Sequence, residues 1–137
     1  MIVRNCSGGL VFHDDKVLLI ENDKHEWAFP KGVVKNGAKL TDVCVSRIEI
    51  ETGVKAKIIA PCGKTNYEFY SVTRRKPVHN NVSWFVMSSD SGEVKANTEE
   101  NIISCNFFTV EEALELVTYS QDKSLLMMAF QKYKERT

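Results

Sequence analysis

The amino-acid sequence predicts an α/β fold of the α+β type, in which a mixed β-sheet is sandwiched between helices. The first observation is the order of the elements: extended runs, one early helix, more extended runs and two late helices. The second is that neither strict alternation of strands and helices nor an all-strand pattern is present. The chain has 137 residues, 43% of them hydrophobic, which is enough for one core. We therefore expect a single domain over residues 1–137.

The early extended runs predict a β-hairpin followed by a short strand. Residues 10–13 and 16–20 are rich in β-forming side chains, and the two aspartates between them indicate a tight turn. Residues 27–29 form a short extended piece that ends at Pro30, because the residue before a proline avoids helical backbone.

One helix is predicted over residues 42–52. Thr41 is a suitable N-cap and Gly53 a suitable stop. The apolar side chains of this segment cover more than one stripe of a helical surface, so we expect the helix to be more buried than usual.

The second half of the chain predicts further strands and then two helices. Residues 54–59 and 64–72 alternate in polarity as two strands do, and a basic loop at 74–77 follows them. The other predicted elements are strands at 82–87 and 102–108 and helices at 110–117 and 121–134, the last with an inner face of Leu125, Leu126, Met128, Ala129 and Phe130.

Composition predicts a cytoplasmic protein without nucleic-acid or membrane partners. Eighteen basic and eighteen acidic residues cancel, so any anion site must be local. The first residues lack the pattern of a targeting segment and no long apolar run is present, so we expect a soluble protein that is not exported. The four cysteines lie far apart without metal-ligand spacing, and we expect reduced, mostly buried thiols. The sequence leaves the oligomeric state open.

Residues 32–54 read GVVKNGAKLTDVCVSRIEIETGV, which resembles the Nudix box without a gap. The box is a glycine, five residues, a glutamate, seven residues, and then Arg-Glu-apolar-x-Glu-Glu-x-Gly-apolar. Positions that match it are Gly32, Ile48, Glu51, Gly53 and Val54. Positions that depart from it are Ala38 for Glu, Ser46 for Arg, Arg47 for Glu and Ile50 for Glu. The box is therefore degenerate.

Other segments of the chain also resemble this family, and they occur in the same order along the sequence. Residues 27–32 read WAFPKG, which is similar to the entry to the box in diadenosine tetraphosphate and diphosphoinositol polyphosphate hydrolases. Residues 67–70, 84–86 and 107–114 follow in the order of that branch. The resemblance to Nudix hydrolases covers nearly the full length and implies the Nudix fold.

In that family the box glutamates bind Mg²⁺, which neutralises a diphosphate and activates the attacking water. The ligand positions correspond to Arg47, Ile50 and Glu51. A single carboxylate beside a guanidinium is a poor site for Mg²⁺ (or Mn²⁺), because the arginine places positive charge where the cation would bind. Since residues four apart on a helix are neighbours, Arg47 and Glu51 should instead form an ion pair.

The resemblance assigns candidate roles, each with a structural alternative. For catalysis and metal binding the candidates are Glu51 with Glu99 or Glu100; for substrate phosphates Lys31, Arg47, Arg74 and Arg75; for stacking on a base Tyr67 and Tyr70. The alternatives are solvated loop charges for the acids, an exposed hairpin tip for the basic run, and packing on the sheet for the aromatics.

Three functions fit these residues. The first is a hydrolase of diphosphate linkages in nucleoside polyphosphates, using Mg²⁺ or Mn²⁺, with activity weak or lost. The second is a catalytically silent module that binds a small nucleotide or phosphorylated ligand, in which Arg47 supplies a permanent charge. The third is a scaffold whose groove is closed by the ion pair between Arg47 and Glu51.

Overall fold

The computed structural model describes residues 1–136, and its elements follow the predicted order. Its strands are β1 (Ile2–His13), β2 (Lys16–Asn22), β3 (Trp27–Ala28), β4 (Lys31–Val33), β5 (Lys57–Ser71), β6 (Lys76–Ser88) and β7 (Ile102–Thr109). Its helices are α1 (Leu40–Thr52), α2 (Val110–Leu116) and α3 (Ser120–Glu135), with a short 3₁₀ helix at Thr98–Glu100.

The strands form one mixed seven-stranded sheet with helices on both faces. The main order is β3-β2-β1-β6-β5, while β4 pairs with β1 and β7 pairs with β2. Strands β1 and β6 are parallel, and the other pairs are antiparallel. One apolar cluster lies between the sheet and α1, and the other between the sheet and α2 and α3. This arrangement confirms the predicted fold class.

Helix α1 differs from the prediction at its start and in its burial. It begins at Leu40 with Lys39 as N-cap, so Thr41 does not cap it. It ends where predicted, because Gly53 has a φ of 74° and donates its N–H to the carbonyl of Glu49. The prediction of an unusually buried helix was wrong. Only one side of α1 packs on the sheet, and Ile50 is 42% exposed.

The two strands predicted at 54–59 and 64–72 are one strand, β5. Its pairing with β6 is irregular between Ile58 and Ala60 and again between Pro61 and Gly63. These bulges let the strand continue past a proline and a glycine with a φ of 96°, which the sequence pattern suggested as a break.

Two further expectations concern side chains. Met128 was predicted on the inner face of the last helix, but it is 51% exposed because Leu125, Leu126 and Ala129 fill the contact with the sheet. The four cysteines are free and buried, as predicted. No helix of the described residues is long and apolar enough to cross a membrane.

Candidate functional site at helix α1

The site begins where α1 crosses β4. Gly32 in β4 leaves room for the side chain of Arg47, because a Cβ atom at position 32 would lie 2.2 Å from Arg47 Cγ and 2.7 Å from its Cδ. The arginine stem therefore lies directly on the strand backbone. Any other residue at position 32 would have to displace it.

The guanidinium of Arg47 joins two carboxylates. Its Nη2 donates to Glu51 Oε2 at 2.7 Å and to Glu100 Oε2 at 3.2 Å. The predicted ion pair between Arg47 and Glu51 is confirmed, and the structure adds Glu100 to it. The Glu51 side chain is only 7% exposed, so this is not the surface pair that helix spacing alone suggests.

Glu51 has one carboxylate oxygen without a partner. Its Oε1 is buried and accepts no hydrogen bond from the described residues. Burial raises the pKa of Glu51 above its ordinary value, while the hydrogen bond and charge of Arg47 act in the opposite direction. The charged form of Glu51 thus depends on Arg47, because an unpaired buried carboxylate is costly.

The 3₁₀ helix that carries Glu100 is fixed to the end of α1 by Asn97. The N–H of Asn97 donates to the carbonyl of Glu51 at 3.0 Å, and its Nδ2 donates to the carbonyl of Ile50 at 2.9 Å. Its Oδ1 accepts the N–H of Glu99 at 3.1 Å. Asn97 thereby directs the neighbouring turn toward Arg47. An asparagine capping a short turn was the sequence signal that could have identified it.

Of the two candidate acids in this 3₁₀ helix, only Glu100 contacts the site. Glu100 reaches Arg47, whereas Glu99 is exposed and lines a shallow surface depression with Gly53 and Lys95. Glu99 is therefore not brought to Glu51.

The divalent metal that the sequence resemblance implies does not fit these residues. Among residues 1–136, no group of three or more His, Cys, Asp or Glu side chains could hold a metal ion. The two carboxylates that converge already hold a guanidinium, and Ile50 offers no oxygen. Mg²⁺ requires a shell of hard oxygen ligands, and Arg47 repels a cation from the remaining ones.

Lys31 lies next to Gly32 and reaches the α3 side of the sheet. Its Nζ is 5.5 Å from the centre of the Tyr67 ring, and Tyr67 Oη accepts a hydrogen bond from Asn80 at 2.8 Å. The close approach of β4 requires Gly8, since a Cβ there would lie 2.7 Å from the carbonyl oxygen of Pro30 and 2.8 Å from Lys31 Cβ. Lys31 and Tyr67 are thus brought together.

A polar cluster beside Lys31 was missed in the sequence. Tyr119 Oη donates to a Glu26 carboxylate oxygen, which raises the pKa of Tyr119 to about 12 and lowers that of Glu26. Asp122 is 6% exposed, and its burial raises its pKa to about 6, an effect that the charge of Lys31 opposes. Glu26 and Lys31 lie far from Tyr119 and Asp122 in the sequence, and Asp122 resembled an ordinary first-turn acid of a helix.

Backbone contacts hold this cluster against the sheet. The N–H of Thr118 donates to the carbonyl of Trp27 at 3.1 Å, and the N–H of Trp27 donates to Thr118 Oγ1 at 2.9 Å. The connection between α2 and α3 is therefore fixed to β3, and Tyr119 and Asp122 are fixed with it.

The structure does not bring Arg74, Arg75 or Tyr70 to this site. Lys31 is level with Trp84, since both pair with Gly8. Arg74 and Arg75 lie just before the first residue of β6, which is about 30 Å along the extended strand from Trp84. Tyr70 is 62% exposed and lies on the opposite face of β5 from Tyr67, because successive side chains of a strand alternate.

The chain has a mixed sheet between helices and a loop–helix–loop over residues 32–54. Together these two features define one class of α+β domain. A family model described as the NUDIX domain matches residues 4–128. The chain belongs to this family.

Similar proteins include Nudix enzymes of known structure. An Ap4A hydrolase of C. elegans, solved as a binary complex, shares 17% identity over 96% of this chain and 97% of its own, with a TM-score of 0.76. An ADP-ribose pyrophosphatase of Streptococcus suis shares 15% identity over 98% and 94%, with a TM-score of 0.73. At these identities the likeness shows the fold.

A curated relative is named as the mutator protein MutT4 of Mycobacterium tuberculosis. It is 23% identical over 103 residues, which cover 75% of this chain. The matched segment spans 40% of the length of that relative.

Proposed function

We propose that this Nudix domain binds a nucleotide through its diphosphate without a divalent cation, and that hydrolysis is weak or absent. The observation that carries the proposal is the position of Arg47 between Glu51 and Glu100. The two carboxylates offset the charge of the guanidinium, so what Arg47 offers a phosphate is its free N–H donors, and a guanidinium cannot lower the pKa of a water molecule as a metal does. The diphosphate class comes from the names of the similar proteins, which act on Ap4A and ADP-ribose.

Two cations of the site are available to phosphate oxygens. Arg47 uses Nη2 for the carboxylates, which leaves the N–H groups of Nε and Nη1 for a ligand. Lys31 directly precedes Gly32 in β4, and the side chain of Arg47 packs over Gly32. Charged donors of this kind make the stronger hydrogen bonds to phosphate.

The nucleoside end is assigned to the cluster on the α3 side. Tyr67 offers a ring face for stacking, and Asp122 offers a buried carboxyl group whose pKa of about 6 permits both proton donation and acceptance near neutral pH. Burial raises the pKa of both Asp122 and Glu51, and the charge of Lys31 acts to lower both, which supports one ligand that contacts this cluster and Arg47 together.

Binding and turnover are separated by calorimetry with Ap4A, ADP-ribose and ATP, each in EDTA and in Mg²⁺, followed by product analysis. We expect saturable binding that is unchanged by EDTA. Arg47→Gln should weaken it by about tenfold or more, because a charged hydrogen bond to phosphate is lost. The matched control is Arg74→Gln at the distant turn, which should bind as wild type does.

Metal-dependent hydrolysis is the competing function, and the convergence of Glu51 and Glu100 favours it. Turnover that requires Mg²⁺ or Mn²⁺ and is lost in Glu51→Gln would establish it and overturn the proposal. Absence of binding to every probe would instead support a scaffold without a small ligand.

Restoring the family residues tests the same point by gain of function. The combined variant carries Ala38→Glu, Ser46→Arg, Arg47→Glu and Ile50→Glu. We expect it to acquire metal-dependent cleavage, since it regains the carboxylates of a Mg²⁺ site. If the proposal is correct, this cleavage exceeds that of the wild type; equal rates would show that the arginine does not limit hydrolysis.

A further inference from the structure

Strand β5 leaves one edge of the sheet open. It ends the strand order and pairs only with β6 among the described residues. From Gly63 to Ser71 its pairing with β6 is regular, whereas bulges interrupt the strand before Gly63. An open and regular edge presents unpaired backbone N–H and C=O groups that another strand could meet.

The charges on this edge are self-complementary. Lys64, Asn66 and Glu68 alternate along the strand and share one face, and all three are exposed. If two copies of β5 pair antiparallel about Asn66, Lys64 lies opposite Glu68 of the second copy, and Glu68 opposite its Lys64. One register therefore places both charged residues of the segment beside opposite charges.

The same register brings a second pair of complementary residues together on the other face of the strand. Phe69 lies opposite Gly63 of the second copy, and Phe69 is 39% exposed. A Cβ atom built on Gly63 meets no atom within 4 Å, so the space above this glycine is free. Aromatic side chains placed across from a glycine on a neighbouring strand compensate for its missing side chain.

Neighbouring registers fit less well. Pairing about Tyr67 would set Lys64 opposite Tyr70, and pairing about Glu68 would set two like charges opposite each other, which is destabilising. Glu68 accepts a hydrogen bond from His79 through Oε1, so its second oxygen remains for a lysine.

We infer that the partner of this edge is a second copy of the chain, paired through residues 63–69 of β5 about a two-fold axis at Asn66. The interface joins two sheets into one. It lies away from Arg47 and Glu51, and it contains Tyr67, the residue to which the proposed function assigns the nucleoside. Exposed Tyr70 and Val72, at 62% and 83%, follow the paired segment and contribute apolar surface beside it.

Sedimentation equilibrium over a range of protein concentrations tests the association. We expect a reversible monomer–dimer equilibrium. A monomer at every concentration, or a species other than a dimer, would overturn the inference.

Charge exchange tests the register. Lys64→Glu and Glu68→Lys should each weaken dimerisation by about tenfold or more, since both symmetric pairs become like-charged. The double variant restores opposite charges and should return to near the wild-type dissociation constant. Lys57→Glu, on the same strand before the bulges, is the matched control and should leave association unchanged. Failure of the double variant to recover would show that the register is wrong.

A cross-link gives an independent readout that does not depend on charge. In Asn66→Cys the new thiols of two copies would face each other across the two-fold axis, whereas the native cysteines are buried. Mild oxidation should convert this variant to a covalent dimer. Thr73→Cys at the turn is the control and should cross-link much less; equal cross-linking would indicate random collision.

Discussion

Removing the guanidinium of Arg47 should destabilise the protein far more than the loss of a surface ion pair. In Arg47→Met the apolar stem over Gly32 is retained while the charge is lost. Glu51 then keeps a carboxylate with 7% exposure and no donor at 2.7 Å. Breaking a fully buried pair costs several kcal/mol, but the side chain of Arg47 is 28% exposed. We therefore expect a loss of about 2–3 kcal/mol in the free energy of unfolding.

Urea denaturation followed by circular dichroism measures this loss, and the size of the loss depends on pH. Burial already raises the pKa of Glu51 in the folded protein, and removing Arg47 raises it further. An acid whose folded pKa is raised destabilises the folded state above its ordinary pKa and ceases to do so once it is protonated in both states. The deficit of Arg47→Met should be larger at pH 7 than at pH 4 and shrink as the pH falls between them.

Two results would refute this reasoning. One is a deficit below about 0.5 kcal/mol at pH 7, which is the range of exposed ion pairs. The other is a deficit that does not change with pH, which would indicate lost packing. The control is the double variant Arg47→Met with Glu51→Gln, which removes the buried charge and should recover most of the stability.

Three further outcomes are expected. Asp122→Asn should raise the free energy of unfolding by about 2 kcal/mol at pH 8 and not at pH 4, because the folded pKa of about 6 lies above the ordinary value; thermal melts at both pH values check this. Gly32→Ala should lower the free energy of unfolding by about 1–3 kcal/mol, as measured by urea denaturation. The loss should be smaller in an Arg47→Ala background, because the clash is with the Arg47 side chain. Gly8→Ala should cost at least as much, since its Cβ would meet the Trp84 ring at 2.5 Å, and equal stability to wild type would contradict that contact.

Local features of the sequence predicted local features of the structure. The hairpin of β1 and β2, the stop of α1 at Gly53 and the ion pair of Arg47 with Glu51 each depend on residues within one turn or one helix. The class of fold followed from the order of such segments. Sequence patterns carry this information because backbone preference and side-chain spacing act over a few residues.

Features that depend on tertiary contact could not be predicted in the same way. The ion pair between Glu100 and Arg47 joins residues that are 53 positions apart in the sequence. That Glu100 and not Glu99 reaches Arg47 depends on the hydrogen bonds of Asn97 to the end of α1. Burial of Asp122 likewise depends on how the connection before α3 meets β3. No periodicity reports such contacts, because they are set by packing between elements.

The bonds of Asn97 to the last turn of α1 have a consequence for motion. Because the carbonyls of Ile50 and Glu51 accept from Asn97, the end of the helix and the 3₁₀ turn should open as one cooperative unit. Amide protons on both segments should then exchange with deuterium at matching rates under native conditions. A substitution at Asn97 would accelerate exchange in the helix end as well as in its own turn.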